Sequence, residues 1–151
     1  FSEQRHIEWL ATEAVVWEPP PEEGREWGLL GPEHCKVAGS IDAVGRVNDN
    51  RLCVVDWKTV TLGTFKKFGR PDETQYESHV FQAAAYAYYL DQVTPEDEGV
   101  ESAYVVYFPR EAPPKGTQPF YVRKIQNLER SWDGFETAYK MVKHLQQSHW
   151  E

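Results

Sequence analysis

Two largely apolar, strand-length runs flank Asn48-Asp49-Asn50, from Lys36 to Val47 and from Arg51 to Thr59, and they predict a β-hairpin. Upstream, an amphipathic stretch over Glu3 to Leu10 reads as a short helix, and Glu13 to Glu18 as a strand. Pro19-Pro20-Pro21 and Gly24 then open a loop that runs to about Glu33. Downstream, a helix is predicted from about Asp72 to Asp91, with Asp72 and Gln75 spaced as an N-terminal capping box and Pro95 and Gly99 at its exit. Glu101 to Pro109 and Phe120 to Ile125 are further strands. From Leu128 onward, Trp132, Phe135, Tyr139, Val142 and Leu145 recur at helical spacing. This order of elements predicts an α/β (α+β) fold: a central mixed β-sheet of about five strands flanked by helices.

Composition narrows the classes of protein without choosing among them. The 151 residues are 40% apolar and 14% aromatic, enough for one domain with a core. No run of eighteen apolar residues or hydrophobic leader is present, so no membrane partner is expected. Cys35 and Cys53 lack CxxC spacing, which fits reduced thiols in an intracellular setting: cytoplasm, nucleus, organelle or a virus-encoded protein. The chain opens on Phe1 rather than Met, as an excised or processed piece would. A net charge of −8 disfavours non-specific coating of nucleic acid, which needs Lys and Arg. It leaves room for an enzyme that meets phosphates through a cation held by carboxylates.

The hairpin carries the distinctive chemistry. Strand alternation sets Leu52, Val54, Asp56 and Lys58 on one face and Cys53, Val55 and Trp57 on the other. If Val47 pairs with Arg51, Asp42 falls opposite Asp56, where Cβ atoms are about 4.5–5.5 Å apart and like charges repel. A divalent cation with a taste for hard oxygen ligands, Mg²⁺ or Mn²⁺, removes that repulsion. A two-residue turn or a bulge would instead set the acids on opposite faces. The plainer alternative makes Asp42 a turn cap and Asp56/Lys58 a surface ion pair.

On the following helix, Gln82 and Tyr86 share a face, which His79 and Tyr89 extend in either direction. An amide beside a phenol can position a phosphate oxygen, a water or a nucleobase. The competing reading treats Tyr86, Tyr88 and Tyr89 as packing aromatics above Ala83, Ala84 and Ala85. Lys66, Lys67 and Arg70 are candidates for tracking a nucleic-acid backbone, against the alternative of a solvated basic loop. Arg123 and Lys124 face opposite sides of their strand, so only one of them can face a cleft on the Asp56 side.

Gly39-Ser40-Ile41-Asp42, then Val54-Val55-Asp56-Trp57-Lys58-Thr59, then Gln82-Ala83-Ala84-Ala85-Tyr86 resemble the G-x-x-D, (D/E)-x-K and Q-x-x-x-Y motifs of the RecB-like exonuclease branch of PD-(D/E)XK nucleases. The resemblance implies a restriction-endonuclease-like core and a Mg²⁺/Mn²⁺-dependent deoxyribonuclease. In that reading Asp42, Asp56 and the Trp57 backbone carbonyl hold the metal, with Glu13 as a supporting acid. Lys58 assists the attacking water and offsets transition-state charge, while Gln82 and Tyr86 position substrate or active-site groups. DNA, as single strands or duplex ends, is the implied substrate. A larger polypeptide, or a helicase or replication complex, is the implied setting, in repair, recombination or replication.

Two features of relatives are not matched. His6 is the only candidate for a metal-binding His on an upstream helix, and two cysteines cannot build a four-Cys iron–sulfur cluster. The expectation is one domain over residues 1–151, short of that upstream helix. The principal alternative is a catalytically retired module of the same fold that binds nucleic acid or a protein. An acidic interaction domain, suggested by six Trp and a pI of about 5.1, is the third.

Overall fold

The computed structural model describes residues 7–17, 38–47, 51–68, 77–95 and 97–149. Its sheet contains five strands in chain order: β1 (Glu8–Trp17), β2 (Ala38–Val47), β3 (Arg51–Val60), β4 (Val100–Pro109) and β5 (Tyr121–Lys124). The helices are α1 (Leu62–Phe65), α2 (Glu77–Val93) and α3 (Leu128–His149). β3 and β4 run parallel, whereas every other neighbouring pair is antiparallel. A parallel pair cannot be closed by a tight turn, and α2 lies in the crossover between them.

The mixed sheet with flanking helices agrees with the fold expected from the pattern. Local departures have physical causes. Residues 8–10, read as the end of an amphipathic helix, belong to β1. A register shift between Trp9 and Ala11 interrupts the alternation that would have marked this strand. The short helix α1 was not anticipated; it rests on Thr61, whose hydroxyl accepts a hydrogen bond from Thr64 N–H at 3.2 Å. The expected capping box at Asp72 and Gln75, and the loop before Glu33, lie outside the described residues.

Two apolar clusters occupy opposite faces of the sheet. Leu52, Val54, Ala103 and Val105 pack with Ala83, Ala85 and Ala87 of α2, while Cys53, Val55 and Val106 form the cluster on the other side. The alanines favour helix and let α2 approach the sheet closely. Helix α3 begins at a cap in which Asn127 Oδ1 accepts from Arg130 N–H at 2.9 Å. It docks on α2 through Trp132, stacked on Tyr88 with ring centroids 3.8 Å apart. The 22-residue α3 outruns the 17-residue α2. Accordingly Val142 and Leu145, expected on its apolar face, are exposed.

Candidate active site

The β2–β3 ladder runs from Val47↔Arg51 to Ala43↔Val55, the register expected from a three-residue turn. One further step sets Asp42 across from Asp56, just where the ladder ends. There Asp42 Oδ2 accepts a hydrogen bond from Trp57 N–H at 2.7 Å, so a side chain takes over an acceptor role that the neighbouring backbone fills along the rest of the hairpin. The Trp57 ring points to the other face, 5.9 Å from Trp9 and 5.9 Å from Phe108.

Asp56 is only 2% exposed, with Lys58 Nζ at 2.8 Å from its Oδ2. That oxygen has ionic contact but no aligned hydrogen-bond donor. Burial pushes the Asp56 carboxyl above its ordinary value; Lys58 pulls it down and Asp42 pushes it up again. Lys58 Nζ donates to Gln82 Oε1 at 2.8 Å, and Gln82 Nε2 donates to Tyr86 Oη at 2.8 Å. The order Asp56, Lys58, Gln82, Tyr86 is therefore a continuous polar chain from β3 onto α2. Burial also raises the Tyr86 phenol, with Gln82 opposing it.

Gly39 explains how Tyr86 fits. A Cβ at that position would lie 2.4 Å from Tyr86 Cε1, so the phenol ring rests directly on the β2 backbone. The glycine of the G-x-x-D pattern thus opens space for the tyrosine of Q-x-x-x-Y.

Glu13 falls between the pairs Thr12↔Ala43 and Ala14↔Ile41, across from Asp42. Its φ is 54°, a left-handed conformation that is costly for a residue with a side chain. Ile41 and Val44 both join the cluster under α2, which strict alternation forbids. β2 therefore changes face beside Asp42, opposite the irregular backbone of Glu13. Glu13 itself is exposed. Among the described residues, no third His, Cys, Asp or Glu joins Asp42 and Asp56 in a cluster of metal-binding size.

Other candidates divide between site and periphery. His79 joins the site's edge: its Nδ1 is 3.1 Å from Tyr107 Oη, and burial, with Lys58 nearby, lowers its pKa. Tyr107 pairs with Lys58 across β3 and β4. Tyr107 carries no local signal of a site, because a tyrosine amid Val-Val-Tyr-Phe looks like core. Tyr89, expected to extend the Gln82 face, is buried at 4% exposure against Trp132. Lys66 and Lys67 are exposed beyond α1. Arg70, His6 and Cys35 lie outside the described residues.

A divalent cation suits the donors that are described. Asp42 and Asp56 are hard oxygen ligands, and the buried Asp56 Oδ2 without an aligned donor retains lone-pair capacity.

The chain matches the family model of the PD-(D/E)XK nuclease superfamily over residues 2–149, and it belongs to that superfamily. Its members are generally nucleases and typically depend on a divalent metal. No curated protein matches the chain. No helix among the described residues is long and apolar enough to cross a membrane.

Proposed function

We propose that this chain is a Mg²⁺- or Mn²⁺-dependent deoxyribonuclease of the RecB-like branch, working as an exonuclease in DNA repair, recombination or replication. The observation that carries this reading is the Asp56–Lys58–Gln82–Tyr86 chain facing Asp42. Asp42, Asp56 and the Trp57 carbonyl would hold the cation, with Glu13 as a supporting acid. When bound, the cation supplies Lewis-acid polarisation of the scissile phosphate.

The remaining work falls to the chain's own residues. Lys58 is held between a carboxylate and an amide, close enough to orient an incoming water and offset charge gathering on the phosphate. Gln82 fixes the ammonium from α2, and Tyr86 fixes Gln82. This preorganisation limits rearrangement when substrate arrives. Lys66, Lys67 and Arg70 are proposed as outlying contacts to the DNA backbone.

The test is cleavage of end-labelled single- and double-stranded DNA with Mn²⁺, Mg²⁺ or EDTA, for the wild type, Asp56→Asn and Lys58→Ala. Cation-dependent cleavage lost in both variants is the expected result, and a ladder starting at one end would support exonuclease action. Cleavage that persists in EDTA would overturn it. A second reading, a retired module that binds DNA without turnover, draws on the lack of a third clustered ligand among the described residues. Tight binding with no cleavage under any cation would favour it.

A further inference from the structure

Beyond the polar chain, the same face of the sheet carries a second feature. Asp56 pairs with Val105, and Val105 pairs with Arg123, so Arg123 stands in the row of Asp56 two strands away. Two strand spacings amount to roughly 10 Å. The next row repeats the arrangement with Lys58, Tyr107 and Tyr121. Between β5, α2 and the start of α3 lies a groove of about 530 Å³, bordered by Val80, Tyr121, Arg123, Lys124, Asn127 and Arg130 among others.

Charge sets this groove apart. The protein has 24 acidic residues against 16 Lys and Arg, yet among the described residues the groove is lined by the cationic side chains of Arg123 and Arg130 and by no acidic one. Arg130 is exposed and sits in the first turn of α3, where the helix dipole disfavours a cation. The acid of that turn, Glu129, borders a different pocket, beside Tyr88 and Trp132. An acidic protein that concentrates cations on one wall beside a phosphodiester site creates a local field for a polyanion.

We infer that the groove is a binding site for the phosphate backbone of the substrate strand, a few nucleotides from the scissile bond. The inference rests on the nuclease reading and extends it. Arg123 grips the strand from the sheet and Arg130 from α3, with the polar Asn127 edge between them. Arginine suits the role because its planar fork can donate two hydrogen bonds to one phosphate. Backbone contacts of this kind hold register and carry no base preference.

The experiment compares the wild type, Arg130→Gln and the Arg123→Gln/Arg130→Gln double variant on two substrates with Mn²⁺. One is a labelled single-stranded DNA long enough to span site and groove. The other is the p-nitrophenyl ester of thymidine 5′-monophosphate, too small to reach it. The double variant is expected to raise KM for the long strand about tenfold and to reduce the salt slope of binding by about 1.4. Turnover of the small ester stays at the wild-type value. Arg130→Gln, at an exposed position, gives about half of each effect on a logarithmic scale and guards against a disturbed β5.

Unchanged KM and salt slope on the long strand would overturn the groove, as would equal losses on both substrates. If the wild type cleaves neither substrate, the nuclease reading falls on its own. The groove is then judged by anisotropy of the labelled strand in EDTA: weaker binding and a shallower slope in the variants sustain it, whereas equal binding or none ends it.

Discussion

Leu52 and Val54 near the start of β3 share a sheet face with Asp56 and Lys58 near its end, yet burial does opposite things at the two ends. Leu52, Val54 and Asp56 are 4%, 0% and 2% exposed. For each apolar side chain, burial stabilises the fold by about 1.5–3 kcal/mol. For Asp56 the same loss of water disfavours the charged form, as its raised pKa reflects. The boundary falls where β2 ceases to pair with β3, after Ala43↔Val55. Up to that point this face of β3 is apolar core; past it, Asp56 and Lys58 join Gln82 and Tyr86 of α2 in the polar chain. One strand therefore carries both core support and the candidate site, with a sharp change between them.

The comparison breaks most visibly in cleavage. Lys58→Ala and Asp56→Asn are each expected to lower the rate about 10²–10³-fold while circular dichroism stays that of the folded wild type. Near-wild-type cleavage by either variant would remove the chemical distinction between the two ends. Leu52→Ala should show the reverse: a stability loss of about 2–5 kcal/mol in urea, with cleavage per folded molecule changed by less than about twofold.

Proton linkage sharpens the contrast, measured in EDTA so that cation binding does not enter. The folded-state pKa of Asp56 lies above the unfolded one. Its contribution is thus fully present below the unfolded value and is lost as pH rises through the folded pKa. Asp56→Asn should be the more stable protein at neutral pH, with its advantage shrinking on acidification. A constant gap across the acid range would contradict this.

Smaller effects are expected one layer out. Tyr86→Phe removes only the hydroxyl that accepts from Gln82 and should slow cleavage about fivefold, as loss of one hydrogen bond would. Gly39→Ala, which drives a methyl into the Tyr86 ring, should cost at least as much. The smallest readout is Cys53 on the opposite face, whose thiol burial pushes up to about 11. Peptide mapping should find it unalkylated at pH 8 in the folded protein and alkylated in urea.

The hairpin was the most legible part of the chain because its turn and the apolar runs beside it are local, and outward pairing from the turn gave the register that brings Asp42 across from Asp56. The Gln82/Tyr86 face was equally readable from helical spacing. The Trp57 N–H bond to Asp42 was not, since it depends on where β2 stops pairing. Tyr107 was hidden by apolar neighbours that resemble core. The first residues of β1 are not legible as strand because its bulge disrupts the period and most of its side chains are exposed. Which of Arg123 and Lys124 shares the Asp56 face required the β4–β5 register, a long-range fact no local pattern contains.

The parallel pairing of β3 with β4 also bears on how the site comes together in time. The Asp42–Trp57 bond spans 15 residues within a hairpin, whereas the Lys58–Gln82 bond spans 24 and depends on α2 docking. Loops that close over fewer residues lose less chain entropy, so local pairings tend to form first. The two acids are expected to meet while α2 is still undocked, at a stage when Lys58 has no amide to hold it. Mutational φ-values at Val44, in the hairpin, and at Val105, across the crossover, would read that order: high at the first and low at the second.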